Sequence, residues 1–294
     1  MKKFCKQHIG IFVIGLLVWA LISNLITGFL QNMFAGNIVQ YYWIEAVCKY
    51  VIAALPLTLM VKWGYIGKSN ARKIGLGFLI GAVLILFCLP NTIPFMFIDS
   101  MYMIVRWKTV FAIFMACFAI GLMEEAGIRG VFLPLLYEKW SKKKHAYTKA
   151  AIVTSLVFGC IHLNWSVRYL LVNGVLPLDQ LLGNLYQVYY AFCFGIFTAG
   201  VTIYTRSILP MVFWHGMCDL AACFPNGLYP QSTLEYFVQK KWGTLQFVLD
   251  KFGIVVPEVV FHAMIDLILL IVGFLLIRKV EKAIESKICQ VIAE

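Results

Sequence analysis

The sequence predicts an all-α protein, a polytopic transmembrane helical bundle of about eight spans with both termini cytoplasmic. Three observations carry this. Of 294 residues, 62% are hydrophobic and only 13% charged, with a mean hydropathy of +0.84; soluble domains carry about 25% charged residues. Several apolar stretches reach the roughly 17–25 residues needed to cross a hydrocarbon core. Lys and Arg are also divided unevenly between alternate loops, as they are when cytoplasmic loops hold the positive excess.

The spans follow in order from hydropathy: Ile9–Leu30, Tyr41–Val61, Ile74–Leu89, Thr109–Leu136, Thr148–Leu163, Leu185–Thr205, Ser207–Phe224 and Val256–Ile277. The third, fifth and seventh are short. The basic start (Lys2, Lys3, Lys6) leads into a run too long for a signal-peptide core and without a clear A-x-A site, so it reads as an uncleaved first span. With the N-terminus inside, the inside segments carry 17 Lys and Arg and the outside segments 6; Lys49 and Arg129 fall within spans. The chain divides into N-terminal helices (1–107), a core of helices 4–7 (108–224), and an extracytoplasmic loop with helix 8 and a tail (225–294). Two outside loops, Asn164–Gly183 and Pro225–Val255, are long enough for short interfacial helices. The second opens with the capping-box pattern Ser232-Thr233-Leu234-Glu235.

A net charge of +11 is explained by those loops, so the expected partner is the lipid bilayer and not nucleic acid. The nine cysteines lie mostly in spans and form no CxxC pair. They indicate neither a disulfide framework nor a zinc ribbon, and read as small buried hydrophobes.

The fourth span contains Met123-Glu124-Glu125-Ala126-Gly127-Ile128-Arg129. Each charge at a helix centre costs about 2.5–3.5 kcal/mol on insertion scales, so such residues mark function. Neighbouring glutamates point about 100° apart on a helix. Glu125 precedes Arg129 by four residues in the favourable acid-first order, which makes an ion pair. Glu124 has Ile128 at that spacing and is left as the free carboxylate; withheld from water, a carboxylate is a stronger base. The fifth span carries Phe158 and His162 four apart, the seventh His215 and Asp219, and the eighth His262 and Asp266. Counted at about 1.5 Å per residue from Lys139, Lys149 and Arg206, Glu124, His162 and Asp219 reach roughly 20–22 Å, and His215 roughly 14 Å. Three independently anchored helices thus bring polar groups into one layer. His262 and Asp266 reach a similar depth and are read as a helix–helix contact.

Taken together, Glu124-Glu125-x-x-x-Arg129, Phe158-x-x-x-His162 and His215-x-x-x-Asp219, with the lead-in from Phe194-Gly195 to Pro210, resemble the motif series of the CPBP family. That family comprises the CAAX prenyl protease type 2 and bacteriocin-processing or immunity (Abi) proteins. The resemblance spans about Phe111 to Ala222. It implies an intramembrane glutamic endopeptidase acting on a peptide or protein precursor. Glu124 would be the general base, with His162 holding the water. Glu125, Arg129 and Phe158 would support the site, and His215 would stabilise the oxyanion. The family often has Asn where this chain has Asp219. A carboxylate cannot donate as an amide does, which leaves Asp219 to orient His215 in its protonated, donating form.

Glu, two His and an Asp also have the donor types of a zinc site. No HExxH is present, and the resemblance implies water chemistry without metal, so no cofactor is expected. Cys160 and Cys218 stand at other helical angles than their neighbouring histidines, which disfavours a thiol nucleophile. Two other roles are weighed: a non-proteolytic immunity protein or membrane partner of a sensor kinase or secretion system, and an ion-coupled transporter. The absence of an inverted repeat argues against the transporter. The short basic tails suggest a bacterial inner membrane.

Overall fold

The structure, a computed structural model, describes residues 1–65, 70–84, 106–163, 167, 170–171, 174–223 and 258–293, with side chains throughout except at 179–180, 258–263 and 287–293. Among the described residues every regular element is helical. The helices are α1 (Lys2–Gln7), α2 (Ile9–Phe34), α3 (Ile38–Lys62), α4 (Ala71–Gly81, extended by a 3-10 turn Ala82–Leu84), α5 (Trp107–Glu125), α6 (Leu133–Trp140), α7 (Ala146–Ile161), α8 (Leu178–Thr205), α9 (Leu209–Cys223) and α10 (Glu258–Ala293). Each expected span overlaps a described helix, except the fourth, which is divided among α5, a π-helical segment and α6; residues 85–89, 224 and 256–257 of the third, seventh and eighth expected spans lie outside the described residues. Among the described residues four stretches are long and apolar enough to cross a membrane: Ile9–Phe34, Ile38–Lys62, Trp107–Trp140 and Leu181–Thr205. The protein is a multi-pass membrane protein. Its α8 starts earlier than the expected Leu185, which shortens the preceding loop. The loop Pro225–Val255, with its capping-box residues, lies outside the described residues.

Polarity along α2 runs opposite to that of a soluble helix. Its buried stripe is Ala20, Ser23, Thr27, Gly28 and Gln31, while Ile14, Ile22, Ile26 and Phe29 face outward. In lipid an exposed apolar side chain costs nothing, and small or polar residues let helices approach and bond to each other. The same logic sets two close crossings. A methyl group at Gly200 of α8 would stand 2.6 Å from the carbonyl oxygen of Gly273 in α10. One at Gly121 of α5 would stand 3.1 Å from both Gly216 N and Val212 O of α9. Accordingly α5 packs between α3 and α9, and α8 between α7 and α10.

Capping residues place the helix starts. Asn37 and Asn70 accept from the backbone N–H of Gln40 (3.0 Å) and Arg72 (2.9 Å). Between α8 and α9 the chain reverses through Arg206 in the left-handed region (φ 56°), Ser207 Oγ accepts from Leu209 N (3.2 Å), and Pro210 opens α9.

One element departs from the expected continuous helix of the fourth span. Between α5 and α6 the backbone runs as a seven-residue π-helix, Ala126–Phe132. Pro134 lies two residues beyond it. A proline offers no N–H to the carbonyl four residues back and crowds it, and an extra residue in the preceding turns relieves that conflict. π-segments are rare and frequent at functional sites.

Basic residues assigned to inside segments gather at one end. Lys2 Nζ reaches Glu138 (2.8 Å) and Trp63 O (3.0 Å), and Lys73 and Lys279 lie over the Tyr204 ring at 5.9 and 5.1 Å. At the same end Glu281, 5% exposed, accepts from Thr148 N and Thr148 Oγ1 (both 3.0 Å) and from Arg278 (3.3 Å), which also donates to His145 Nδ1 (2.7 Å). Burial works against ionisation of this carboxyl, but the Thr148 and Arg278 hydrogen bonds outweigh it and hold the group below its usual 4.5. A carboxyl depressed on folding stabilises above its unfolded value, and that stabilisation is lost as pH falls through the folded value. Glu281→Gln is therefore expected to cost about 1–2 kcal/mol near pH 7. Thermal unfolding in detergent across pH should show the gap between wild type and variant closing below about pH 4.5.

Candidate active site

The geometry is built outward from the π-segment and the end of α5. Glu125, with a side chain 0% exposed, places Oε1 3.3 Å from Arg129 Nη1 and 2.9 Å from His215 Nδ1. The expected Glu125–Arg129 pair is thus formed, although the backbone between them is π and not α. Glu124 turns to the other nitrogen of the same ring: its Oε2 is 3.6 Å from His215 Nε2, and its side chain is 20% exposed. The adjacent glutamates therefore bracket one imidazole. Asp219 Oδ2 lies 3.9 Å from Nε2. The hydrogen bond to His215 is made by Glu125 at Nδ1, and Asp219 stands farther off, on the Nε2 side.

Phe158 links α7 to this group. The Arg129 guanidinium carbon sits 4.2 Å above its ring centre, a stacking suited to the planar cation. His162 meets the same ring edge-on at 4.9 Å, and His215 does so at 6.1 Å. His162 is fixed by the way α7 ends. Its backbone N–H bonds to Gly159 O (3.0 Å), tightening the last turn, so Phe158 O is left to His162 Nδ1 at 2.9 Å. Since Nδ1 donates to a carbonyl, Nε2 of the neutral ring is the free acceptor. The structure thus brings Glu124, Glu125, Arg129, His215 and Asp219 into direct contact, and joins His162 to them through Phe158. Phe194 of α8 closes the cluster against His215 at 5.0 Å; the sequence reading used it only as part of a lead-in.

Asp266 lies apart, fully buried, and accepts from Tyr186 Oη at 3.1 Å, a contact between α8 and α10 as expected. The His262 side chain lies outside the described residues. Cys160 is exposed. Among the described residues no three His, Cys, Asp or Glu side chains are grouped to hold a metal ion.

A second polar group was not foreseen. Lys49 of α3, 3% exposed, reaches Asn24 Oδ1 (2.6 Å), Ser23 Oγ (3.3 Å) and Glu45 Oε1 (3.6 Å), and Gln31 Nε2 donates to Glu45 Oε2 (2.7 Å). Ser23 Oγ in turn contacts Met123 Sδ at 3.7 Å, one residue before Glu124. Glu45 and Lys49 have the same acid-first spacing as Glu125 and Arg129, and that was the available signal.

Residues 106–221 match the family model described as Type II CAAX prenyl endopeptidase Rce1-like. The matched segment is less than half of the chain, yet it holds α5, the π-segment, α6, α7, α8 and most of α9, and with them every residue of the cluster. That similarity is consistent with the CPBP/CAAX-protease resemblance and supports a membrane protease. No curated protein and no solved structure matches the chain.

The Glu125–Arg129 contact predicts a specific pattern of stability. Arg129→Ala leaves Glu125 charged and buried with only His215, and should cost about 3–5 kcal/mol. Adding Glu125→Gln removes the stranded charge, so the double variant should unfold at a higher temperature than Arg129→Ala alone.

Proposed function

We propose that this chain is an intramembrane endopeptidase that hydrolyses a peptide bond in a membrane-associated protein or peptide precursor, using a water activated by Glu124. The observation that carries the reading is the unequal burial of the two glutamates. Glu125 is sealed from water and held by Arg129 and His215, while Glu124 is 20% exposed and borders the His215 Nε2 edge. One carboxylate is built in; the other is accessible to a reactant.

In this reading Glu124 takes a proton from water as the oxygen attacks the carbonyl carbon, with His162 Nε2 as a second acceptor for that water. Negative charge then develops on the carbonyl oxygen. A protonated His215 ring, anchored at Nδ1 by Glu125, presents Nε2–H toward it. Asp219 lies 3.9 Å from Nε2 and takes no direct part in holding the oxyanion. Collapse breaks the C–N bond, and Glu124 returns its proton to the leaving nitrogen, giving a carboxylic acid and an amine. The step uses no metal. The membrane is that of a bacterial cell, and the substrate is a small leader-bearing precursor.

Glu124→Ala should abolish cleavage, by at least about a hundredfold for loss of a general base, while the chain still reaches the membrane folded. His162→Ala should do the same. Peptide profiling of cells carrying wild type or Glu124→Ala is the measurement; unchanged profiles would sink the proposal. Full complementation of a deletion by Glu124→Ala would point to a binding role instead. Cleavage by purified protein should survive strong chelators, and its loss would mean that a metal takes part.

A further inference from the structure

Next to the cluster, separated from its reacting edge by Arg129, lies a cavity of about 520 Å³ between α3, the π-segment, α6 and the α8–α9 turn. None of Glu124, His162 or His215 lines it. Three observations bear on its use. First, Arg129 forms part of its wall and is 2% exposed, yet its Nε and Nη2 meet no acceptor among the described residues; Glu125 occupies only the Nη1 side, and Phe158 covers the face. Thr202 Oγ1, also in the wall and buried, has no hydrogen-bond partner among the described residues either. Buried donors of this kind are rare in folded proteins unless a ligand meets them. Second, the mouth adds Arg206, held by its left-handed backbone at the α8–α9 turn, and the acid there, Glu138, is already met by Lys2 at 2.8 Å and Lys6 at 3.8 Å. The vacant charge is positive. Third, beside the hydroxyls of Tyr65, Tyr137, Tyr147 and Ser207 the wall has an apolar side with Leu57, Ile208 and Leu209, and Leu209 is 56% exposed.

We propose that this cavity binds the phosphate of an anionic lipid headgroup, with Arg129 and Arg206 as the charged donors and Thr202 as a third. The phosphate would take the unmet guanidinium edge in the forked geometry that arginine favours, and the acyl chains would leave along Leu209 into the bilayer. The position fits a lipid better than a soluble anion. It lies at the end of the bundle where Lys2, Lys73 and Lys279 stand over tyrosine rings, the pairing of basic and aromatic residues found at headgroup level. The assignment does not depend on the protease reading, and its test reads binding and not cleavage.

The purified full chain in an uncharged detergent is titrated with phosphatidylglycerol, phosphatidylcholine or inorganic phosphate while thermal unfolding is followed, and native mass spectrometry records retained lipid. Phosphatidylglycerol should raise the unfolding midpoint and be retained as one molecule per chain, with the zwitterionic lipid and inorganic phosphate far weaker. Arg206→Gln should weaken the phosphatidylglycerol effect about tenfold, as loss of one charge-assisted hydrogen bond does. Thr202→Val should weaken it about threefold, and serves if Arg206→Gln does not fold. Equal effects of the two lipids, an equal effect of inorganic phosphate, or unchanged titrations in both variants would overturn the assignment. So would displacement of the lipid by an apolar peptide bearing a free C-terminal carboxylate, which would give the cavity to peptide.

Discussion

Glu125 Oε1 has no access to water and stands between two cationic or donating groups, His215 Nδ1 at 2.9 Å and Arg129 Nη1 at 3.3 Å. In hydrocarbon a carboxylate survives only when its partners are fixed. Each partner here is fixed by something else: His215 by the close crossing of α5 and α9, Arg129 by the Phe158 ring. One oxygen therefore ties α5, the π-segment, α7 and α9 together. It also decides what the neighbouring residue does, because a helix that turns Glu125 inward to Nδ1 must turn Glu124 to the Nε2 side, where the cluster opens.

Much of this was legible in the sequence because membranes simplify the problem. Apolar length gave the spans, and loop charge gave a consistent end for Lys2, Lys73 and Lys279, which the structure gathers together. Polar residues inside spans are costly enough to stand out, so Glu124, Glu125, Arg129, His162, His215 and Asp219 could be singled out before their contacts were known. Depth counting brought them to one layer. Depth says nothing of rotation, however, and the bond from His215 Nδ1 to Glu125 depends on how α9 is turned against α5. A crossing set by Gly121 and Gly216, 95 positions apart in the chain, leaves no local signature.

The π-segment was hidden for a related reason. Reading at intervals of four assumes 3.6 residues per turn, and the Glu125–Arg129 contact satisfies that reading even where the backbone has widened. The Lys49 group was missed because its hydrogen-bond partners Ser23 and Asn24 come from α2, whose buried stripe of Ser23, Thr27 and Gln31 is inconspicuous inside a run of high hydropathy. The two polar groups back onto each other through Ser23 and Met123, so the N-terminal helices, which carry none of the family motifs, form part of the wall that holds the motif helix.

The widened turns between α5 and α6 also act as a spacer. Inserting or removing a residue in a straight α-helix rotates everything beyond it by about 100°. Here one extra residue is already absorbed, so the half of the helix bearing Glu124 and the half bearing Tyr137 and Glu138 are set at an angle that an unbroken helix of the same composition would not give. A shortened segment that reverted to a plain α-helix would keep every motif residue and still set α6, with Tyr137 and Glu138, at another angle to the carboxylates. Alignments that score the motif letters alone would not register that change.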